Sequence, residues 1–210
     1  MRSILVVNPK GGSGKTTLAT NLASFYAVWD VPVGLVDLDS QKSSTDWLKS
    51  RPESASTIQG FYGLKRKIDL PQDLRRVIYD SPAKVSLASV SLLINIVDVV
   101  LIPVLPSAID MRVTAKFIAD LLIKVKVRHK PVKIAVVGNR MQASYKSSAL
   151  LENFLENADI PFLAKLRASQ NYVHVGREGL GIFDMTPSTV KQDVETWKPL
   201  VNWIEQKTKE

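Results

Sequence analysis

The sequence predicts an α/β fold, a mostly parallel twisted sheet of about seven strands with helices on both faces. Three observations predict it. Short β-branched runs alternate with helical segments along the whole chain. Those runs are apolar at nearly every position, as in strands covered on both sides, rather than alternating apolar with polar. The chain also contains no internal repeat, low-complexity tract or long linker, so its 210 residues are expected to form a single domain, 1–210.

The elements follow in order. Strands are expected at Ser3–Asn8, Val33–Asp37, Arg76–Asp80, Val99–Val104, Lys133–Asn139 and Pro161–Leu166, with a weak edge strand at Ser56–Phe61. Helices are expected at Thr16–Val28, Ser43–Lys49, Val85–Ile96, Met111–Lys126 and Ser147–Glu156. In the last segment, Val190 to Lys207, a stripe of Val190, Val194, Trp197, Val201 and Ile204 predicts a helix buried on one side. Pro199 lies inside that segment and is expected to kink or divide it. Trp203 falls off the stripe, either as an exposed contact or as cover for a neighbouring element.

Composition narrows the chemistry. The chain has no cysteine, which excludes disulfides, thiolate zinc sites and iron–sulfur clusters and fits a cytoplasmic setting. The apolar run near the N-terminus is too short for a signal peptide. The longest apolar tract, Val85–Leu105, carries Ser86, Ser89, Ser91, Asn95, Asp98 and Pro103 and is too polar to span a membrane. The formal net charge is +8. Between Pro106 and Leu150, nine Lys and Arg residues (Arg112, Lys116, Lys124, Lys126, Arg128, Lys130, Lys133, Arg140 and Lys146) face only Asp110 and Asp120. Such an excess suits a polyanion, nucleic acid or acidic lipid; its bland alternative is a solvated helix face.

The most informative stretch is V-V-N-P-K-G-G-S-G-K-T-T, Val6 to Thr17. Gly11, Gly12 and Gly14 let the backbone between strand and helix turn its N–H groups inward without Cβ clashes. Together with the helix N-terminus they make an anion cradle. Lys15 would reach the β- and γ-phosphates of a nucleotide, and the Thr16 hydroxyl would coordinate Mg²⁺. The standard phosphate-loop pattern has glycine where this chain has Pro9, so the motif is the deviant form K-G-G-x-G-K-T-T. Three glycines and two lysines at fixed spacing arise by chance about once in a million starts. Asp80 closes a strand at the carboxyl edge of the sheet, where it would hold Mg²⁺ through water or serve merely as a strand-end cap.

The deviant loop resembles that of the ParA/MinD family of dimerising ATPases, with the P-loop NTPase architecture that this implies. D-L-D-S-Q at Asp37–Gln41 is similar to the family's second-strand motif, and V-I-Y-D-S-P-A at Val77–Ala83 to its Walker B segment. I-P-V-L-P-S-A-I-D-M at Ile102–Met111 is similar to the proline loop bordering the nucleotide, V-V-G-N-R at Val136–Arg140 to the adenine-reading segment, and R-E-G-L-G-I-F-D at Arg177–Asp184 to a stretch near the C-terminus. The resemblance runs from about Arg2 to Ile204, in the family's order.

The resemblance implies roles. ATP and Mg²⁺ are the expected cofactors. Residues Lys10, Gly11, Gly12, Ser13, Gly14, Lys15, Thr16, Thr17 and Asn139 are expected to hold the nucleotide, and Thr16, Asp37 and Asp80 the metal. Lys10 reaches the partner subunit's ATP, so hydrolysis depends on dimerisation, and Asp39 positions the attacking water. Asp37 and Asp39 have a simpler alternative as turn residues, and Gly138–Asn139 is also a turn signal.

Several branches of the family fit poorly. Nitrogenase-reductase-like members need cysteines, arsenite-pump-like members duplicate the domain, and tyrosine-kinase members carry a tyrosine-rich tail, whereas the last tyrosine here is Tyr172. MinD-like proteins attach to membrane through an amphipathic helix beyond the folded domain, and stable membrane insertion is not expected here. ParA-like proteins bind DNA non-specifically as ATP dimers; the similarity points to Arg167, Lys191 and Lys198 as contacts, each with the alternative of a solvated charge. The first strand begins too early for a preceding helix-turn-helix, so operator reading is not expected. The chain is most similar to the small ParF-type ParA proteins, including the McdA-type carboxysome-positioning branch. The implied function is a homodimeric, nucleoid-associated, slow ATP hydrolase stimulated by an adaptor protein on its cargo, a carboxysome or plasmid. The alternatives are a MinD-like membrane-associated positioning ATPase and a metabolic P-loop ligase or kinase.

Overall fold

The computed structural model describes residues 1–63, 68–142 and 149–206. Its strands are β1 (Arg2–Val6), β2 (Val33–Asp37), β3 (Gln59–Tyr62), β4 (Arg76–Asp80), β5 (Val99–Val104), β6 (Lys133–Met141) and β7 (Phe162–Arg167). Its helices are α1 (Lys15–Val28), α2 (Ser43–Lys49), α3 (Leu87–Ile94), α4 (Ala108–Ile123), α5 (Ala149–Asn157), α6 (Gln170–Arg177) and α7 (Pro187–Glu205). The strands form one sheet in the order β3-β2-β4-β1-β5-β6-β7, every neighbouring pair parallel. The α/β class and the count of about seven strands agree with the sequence reading. Lys146 and the start of the helix expected at Ser147–Glu156 lie outside the described residues.

Alternation along each strand divides the core into two layers. Ile4, Val6, Leu35, Ile78, Leu101, Val137 and Leu166 face one side, where α1 and α7 cover them through Leu18, Leu22, Tyr26, Val190, Trp197, Leu200 and Ile204. Leu5, Val7, Val36, Val77, Tyr79, Ile102 and Val136 face the other, under α3, α4 and α5. The weak edge strand exists, displaced to β3, and its exposure alternates as an edge requires. At the other edge β6 and β7 pair with register shifts at Val136/Val137 and Gly138/Met141.

Helix boundaries follow capping. Ser86 accepts from the Ser89 N–H and opens α3; Ser107 accepts from the Asp110 N–H and opens α4 three residues before the expected Met111. The chain leaves α1 through Asp30 in the left-handed region, with the Val31 N–H returning to the Tyr26 carbonyl at 2.9 Å. The sequence reading missed α6, because that short helix is polar and buries only Val175 among its residues.

Of the two outcomes expected at Pro199, division of the helix does not occur: α7 runs through it from Pro187 to Glu205. The missing N–H costs one hydrogen bond, but Trp197, Leu200 and Ile204 are fully buried on either side and hold both halves against the sheet. Trp203 takes the covering role; it packs against the core, and the Lys133 ammonium stands 4.3 Å from its ring centre.

The R-E-G-L-G-I-F-D stretch is a structural joint. Arg51, after α2, forms a two-pronged pair with Asp184 at 2.7 and 2.9 Å, with both side chains 6% exposed. Asp184 also accepts from the Ser24 hydroxyl on α1 and from the Gly181 N–H. Removing one partner leaves a buried unpaired charge, so Asp184→Asn should lower unfolding free energy by about 3 kcal/mol in urea titrations. A loss within error would show the joint to be dispensable.

Candidate functional site

Parallel register brings the ends of β1, β2 and β4 level: Val6 pairs with Asp80, and Asp80 with Asp37. The loop from β1 to α1 rises over this edge. Gly12 and Gly14 both have positive φ, 76° and 93°, a region that side-chain-bearing residues rarely adopt. Gly14 is also the N-cap of α1, with no side-chain cap and no acidic residue in the first turn. The helix N-terminus therefore offers its N–H groups to an anion. Gly11 and Gly12 are exposed at the loop tip, Ser13 is buried, and Thr16 and Thr17 are half-buried on the first turn.

Lys15 is buried, its ammonium donating to the Lys10 carbonyl at 3.3 Å. Burial lowers its pKa, opposed by the negative charges of Asp80 and Asp39. The Lys10 backbone is fixed separately: its N–H donates to Asn8 Oδ1 at 2.9 Å.

Asp80 is 1% exposed. One oxygen accepts from the Thr16 hydroxyl at 2.8 Å and, in a short contact, from the Ser44 hydroxyl of α2. Its other oxygen, Oδ1, is buried without a hydrogen-bond partner, as are the hydroxyls of Ser81 and Ser13 nearby in sequence to the two motifs. Burial pushes the Asp80 carboxyl up to about 6; the Ser44 and Thr16 hydrogen bonds hold it down, Asp37 raises it further and Lys15 lowers it. A carboxylate with an unsatisfied buried oxygen beside a threonine hydroxyl fits a hard divalent cation such as Mg²⁺.

Asp37 has its oxygens committed. Oδ1 accepts from the Asp39 N–H at 2.9 Å, and Oδ2 from both the N–H and the hydroxyl of Thr45 at 2.9 Å. It ties β2 to the start of α2 and shapes the turn that carries Asp39. Asp39, half-buried, accepts from the Gln41 N–H at 3.0 Å. Asn139 lies within β6 rather than in a turn; its amide donates to the Ser13 carbonyl at 3.0 Å and stands where a Cβ on Gly14 would have to go. The reading from sequence missed Asn8, Ser44 and Thr45. Short polar residues flanking a motif carry no periodic signal, and only the folded contacts expose them.

The three residues expected at DNA gather at α7. Arg167, at the end of β7, pairs with the buried carboxylate of Asp193 at 3.1 Å and contacts Gln192. Lys191 and Lys198 are exposed on the helix, and Lys198 pairs with Glu195 at 2.6 Å. Several basic residues of the stretch 106–150 have partners within the chain. Arg112 and Lys116 are exposed on α4; Lys124 pairs with Asp120, Arg128 reaches the Ala158 carbonyl, and Lys133 donates to the Trp203 carbonyl.

A parallel sheet with a glycine cradle at its carboxyl edge and an acidic strand end beneath it defines a nucleotide-binding α/β protein of the P-loop type. The chain belongs to the CobQ/CobB/MinD/ParA nucleotide binding domain family, whose profile matches residues 4–182. It is 27% identical over 192 residues to maintenance of carboxysome distribution protein A of Halothiobacillus neapolitanus, covering 87% of each chain. It is also 27% identical over 177 residues to Protein ParA of Rhizobium radiobacter, covering 79% of each. Among solved structures, an ATP complex of Cyanothece McdA superposes with a TM-score of 0.71 at 19% identity, over 100% of this chain and 99% of that one.

The Asp80 carboxyl titrates above its ordinary value of 3.8. The sign follows: the stability it contributes is present in acid and lost as pH rises through about 6. Nucleotide-free Asp80→Asn should therefore melt higher than the parent near neutral pH, by the equivalent of about 2 kcal/mol, with the gap closing below about pH 4. Scanning calorimetry across pH checks this; a variant that melts lower at neutral pH would contradict it.

Proposed function

We propose that residues 1–210 are one Mg²⁺-dependent ATPase domain that dimerises on ATP, binds DNA without sequence preference as the dimer, and positions a cargo through an adaptor that stimulates hydrolysis. The observation that carries this reading is the pair of lysines around one glycine loop. Lys15 turns inward beside Asp80 and Asp39 and serves the loop's own cradle. Lys10 is left for a second nucleotide, and phosphoryl transfer gains from each added cation.

Each residue then has a task. Backbone N–H groups of Gly11 to Thr17 receive the phosphates, and Lys15 gains the counter-charge that its burial calls for. Thr16 and Asp80 hold Mg²⁺, with Asp37 supporting them by fixing the neighbouring turn. Bound Mg²⁺ neutralises phosphate charge. Asp39 orients the attacking water, and Asn139, beside the loop, reads the base. The partner's copy of Lys10 completes the site, so turnover waits on assembly. The names of the curated relatives, a carboxysome distribution protein and a partition protein, support a positioning role. Arg167, Lys191 and Lys198 around α7 supply phosphate contacts for DNA. Arg167 must exchange or share its bond to Asp193 to do so. No helix among the described residues is long and apolar enough to cross a membrane. We assign the protein to the cytoplasm, on the nucleoid.

The deciding experiment is gel retardation of unrelated duplex DNA with and without ATP at two salt concentrations. ATP-dependent binding that weakens steeply with salt is expected; no ATP-dependent binding at low salt would remove DNA from the function. Lys15→Ala should abolish nucleotide binding in a fluorescent-ATP titration, and retained affinity would contradict the cradle. Asp39→Ala should trap an ATP-bound dimer on gel filtration, and wild-type turnover would exclude Asp39 from the mechanism.

A further inference from the structure

Asn8 is 1% exposed and uses every arm of its amide. Its Oδ1 accepts from the Lys10 N–H at 2.9 Å. Its Nδ2 donates to the Pro103 carbonyl at 2.8 Å, at the end of β5, and to the Thr114 hydroxyl of α4 at 3.0 Å. Thr114 is itself fully buried in the second turn of that helix. One side chain therefore joins three elements: the loop carrying Lys10, the strand beside β1, and the helix that follows that strand.

We propose that Asn8 is a positioning residue that sets the backbone from which Lys10 projects and couples that backbone to α4. The inference rests on the reading of Lys10 as a lysine that acts on phosphate. Pro9 makes the clamp necessary. Proline fixes its own φ and has no N–H, so it can donate no hydrogen bond of its own to hold the turn. The Pro9 carbonyl does accept from the Lys84 N–H at 3.2 Å, which ties the loop to the chain after Asp80. The first anchored donor after Pro9 is the Lys10 N–H, and Asn8 takes it. The inner cradle has contacts that do not involve Lys10: Asn139 on Ser13, and Thr16 on Asp80. Loss of the Asn8 clamp frees the outer lysine while those contacts stand. Because the other arm of the amide grips Thr114, a shift of α4 displaces Lys10, and nucleotide contact at Lys10 shifts α4.

The test separates turnover from binding. In Asn8→Ala, ATP hydrolysis should fall at least about tenfold while ATP affinity, measured with a fluorescent analogue, stays within about threefold. Thr114→Val removes the hydroxyl at nearly constant volume and should reproduce part of the loss; Thr114→Ser should restore it. The double variant Asn8→Ala/Lys10→Ala should hydrolyse no more slowly than Lys10→Ala alone, because residues acting as a unit are not additive. Additive losses, an affinity that collapses with turnover, or wild-type turnover in a folded Asn8→Ala protein would each overturn the coupling while leaving Lys10 in place. Wild-type turnover in Lys10→Ala would overturn both the role of Lys10 and the coupling built on it.

Discussion

A carboxylate that has lost nearly all its water governs this molecule. Asp80 sits at the end of a central strand, shares one oxygen between Thr16 and Ser44, and keeps the other without a partner. An unsatisfied buried polar atom of this kind is costly, and proteins retain one where a ligand satisfies it. Strand register, loop and α2 all converge on that carboxylate. β1 and β2 flank it at equal height, α1 delivers Thr16, and α2 delivers Ser44. The parallel sheet is the device that makes such convergence cheap, because all its strands end at one edge.

Around this edge the short polar residues act as spacers between elements rather than as reactants. Asp37 binds the start of α2 and Asn139 braces Ser13; farther along α1, Asp184 ties Arg51 to Ser24. Each spends its hydrogen bonds on backbone or on a neighbouring side chain. The loop that carries the two lysines is held from several sides, and its glycines supply positive φ values that side-chain-bearing residues rarely adopt. Rigid surroundings with open N–H groups are what electrostatic stabilisation of a phosphate demands.

The fold was legible in the sequence because a doubly covered parallel sheet writes itself as uninterrupted apolar runs. β1, β2, β4 and β5 were each visible as such runs to within about two residues, the usual blur of element ends. The phosphate loop was legible because its geometry demands glycine at two positions and the chemistry demands lysine at another. Three things were not legible. α6 is only eight residues long and buries a single residue, Val175, too short a stretch to read from one sequence. Pro199 leaves open whether the helix divides, and packing on both sides of it keeps α7 in one piece. The clamp at Asn8 and the second hydroxyl on Asp80 depend on residues far apart in the chain, so local spacing holds no trace of them. The basic excess between Pro106 and Leu150 suits, in sequence, a polyanion or a solvated helix face, and several of its side chains find intramolecular partners in the fold.

The first helix and the last share one core layer. α1 lies against the sheet from residue 15 onward, but Val190, Trp197, Leu200 and Ile204, which complete its cover, come at the far end of the chain. The Glu205 carboxylate then reaches back to Arg76 on β4 and to the Tyr26 hydroxyl. During synthesis, then, one side of the sheet stays wet until residues 187–205 have emerged, whereas the other side, closed by α3, α4 and α5, can dry earlier. Such long-range closure slows folding and leaves an adhesive surface in the interim. A chain stalled before α7 would lack that seam and present the surface to whatever chaperone or protease meets it first.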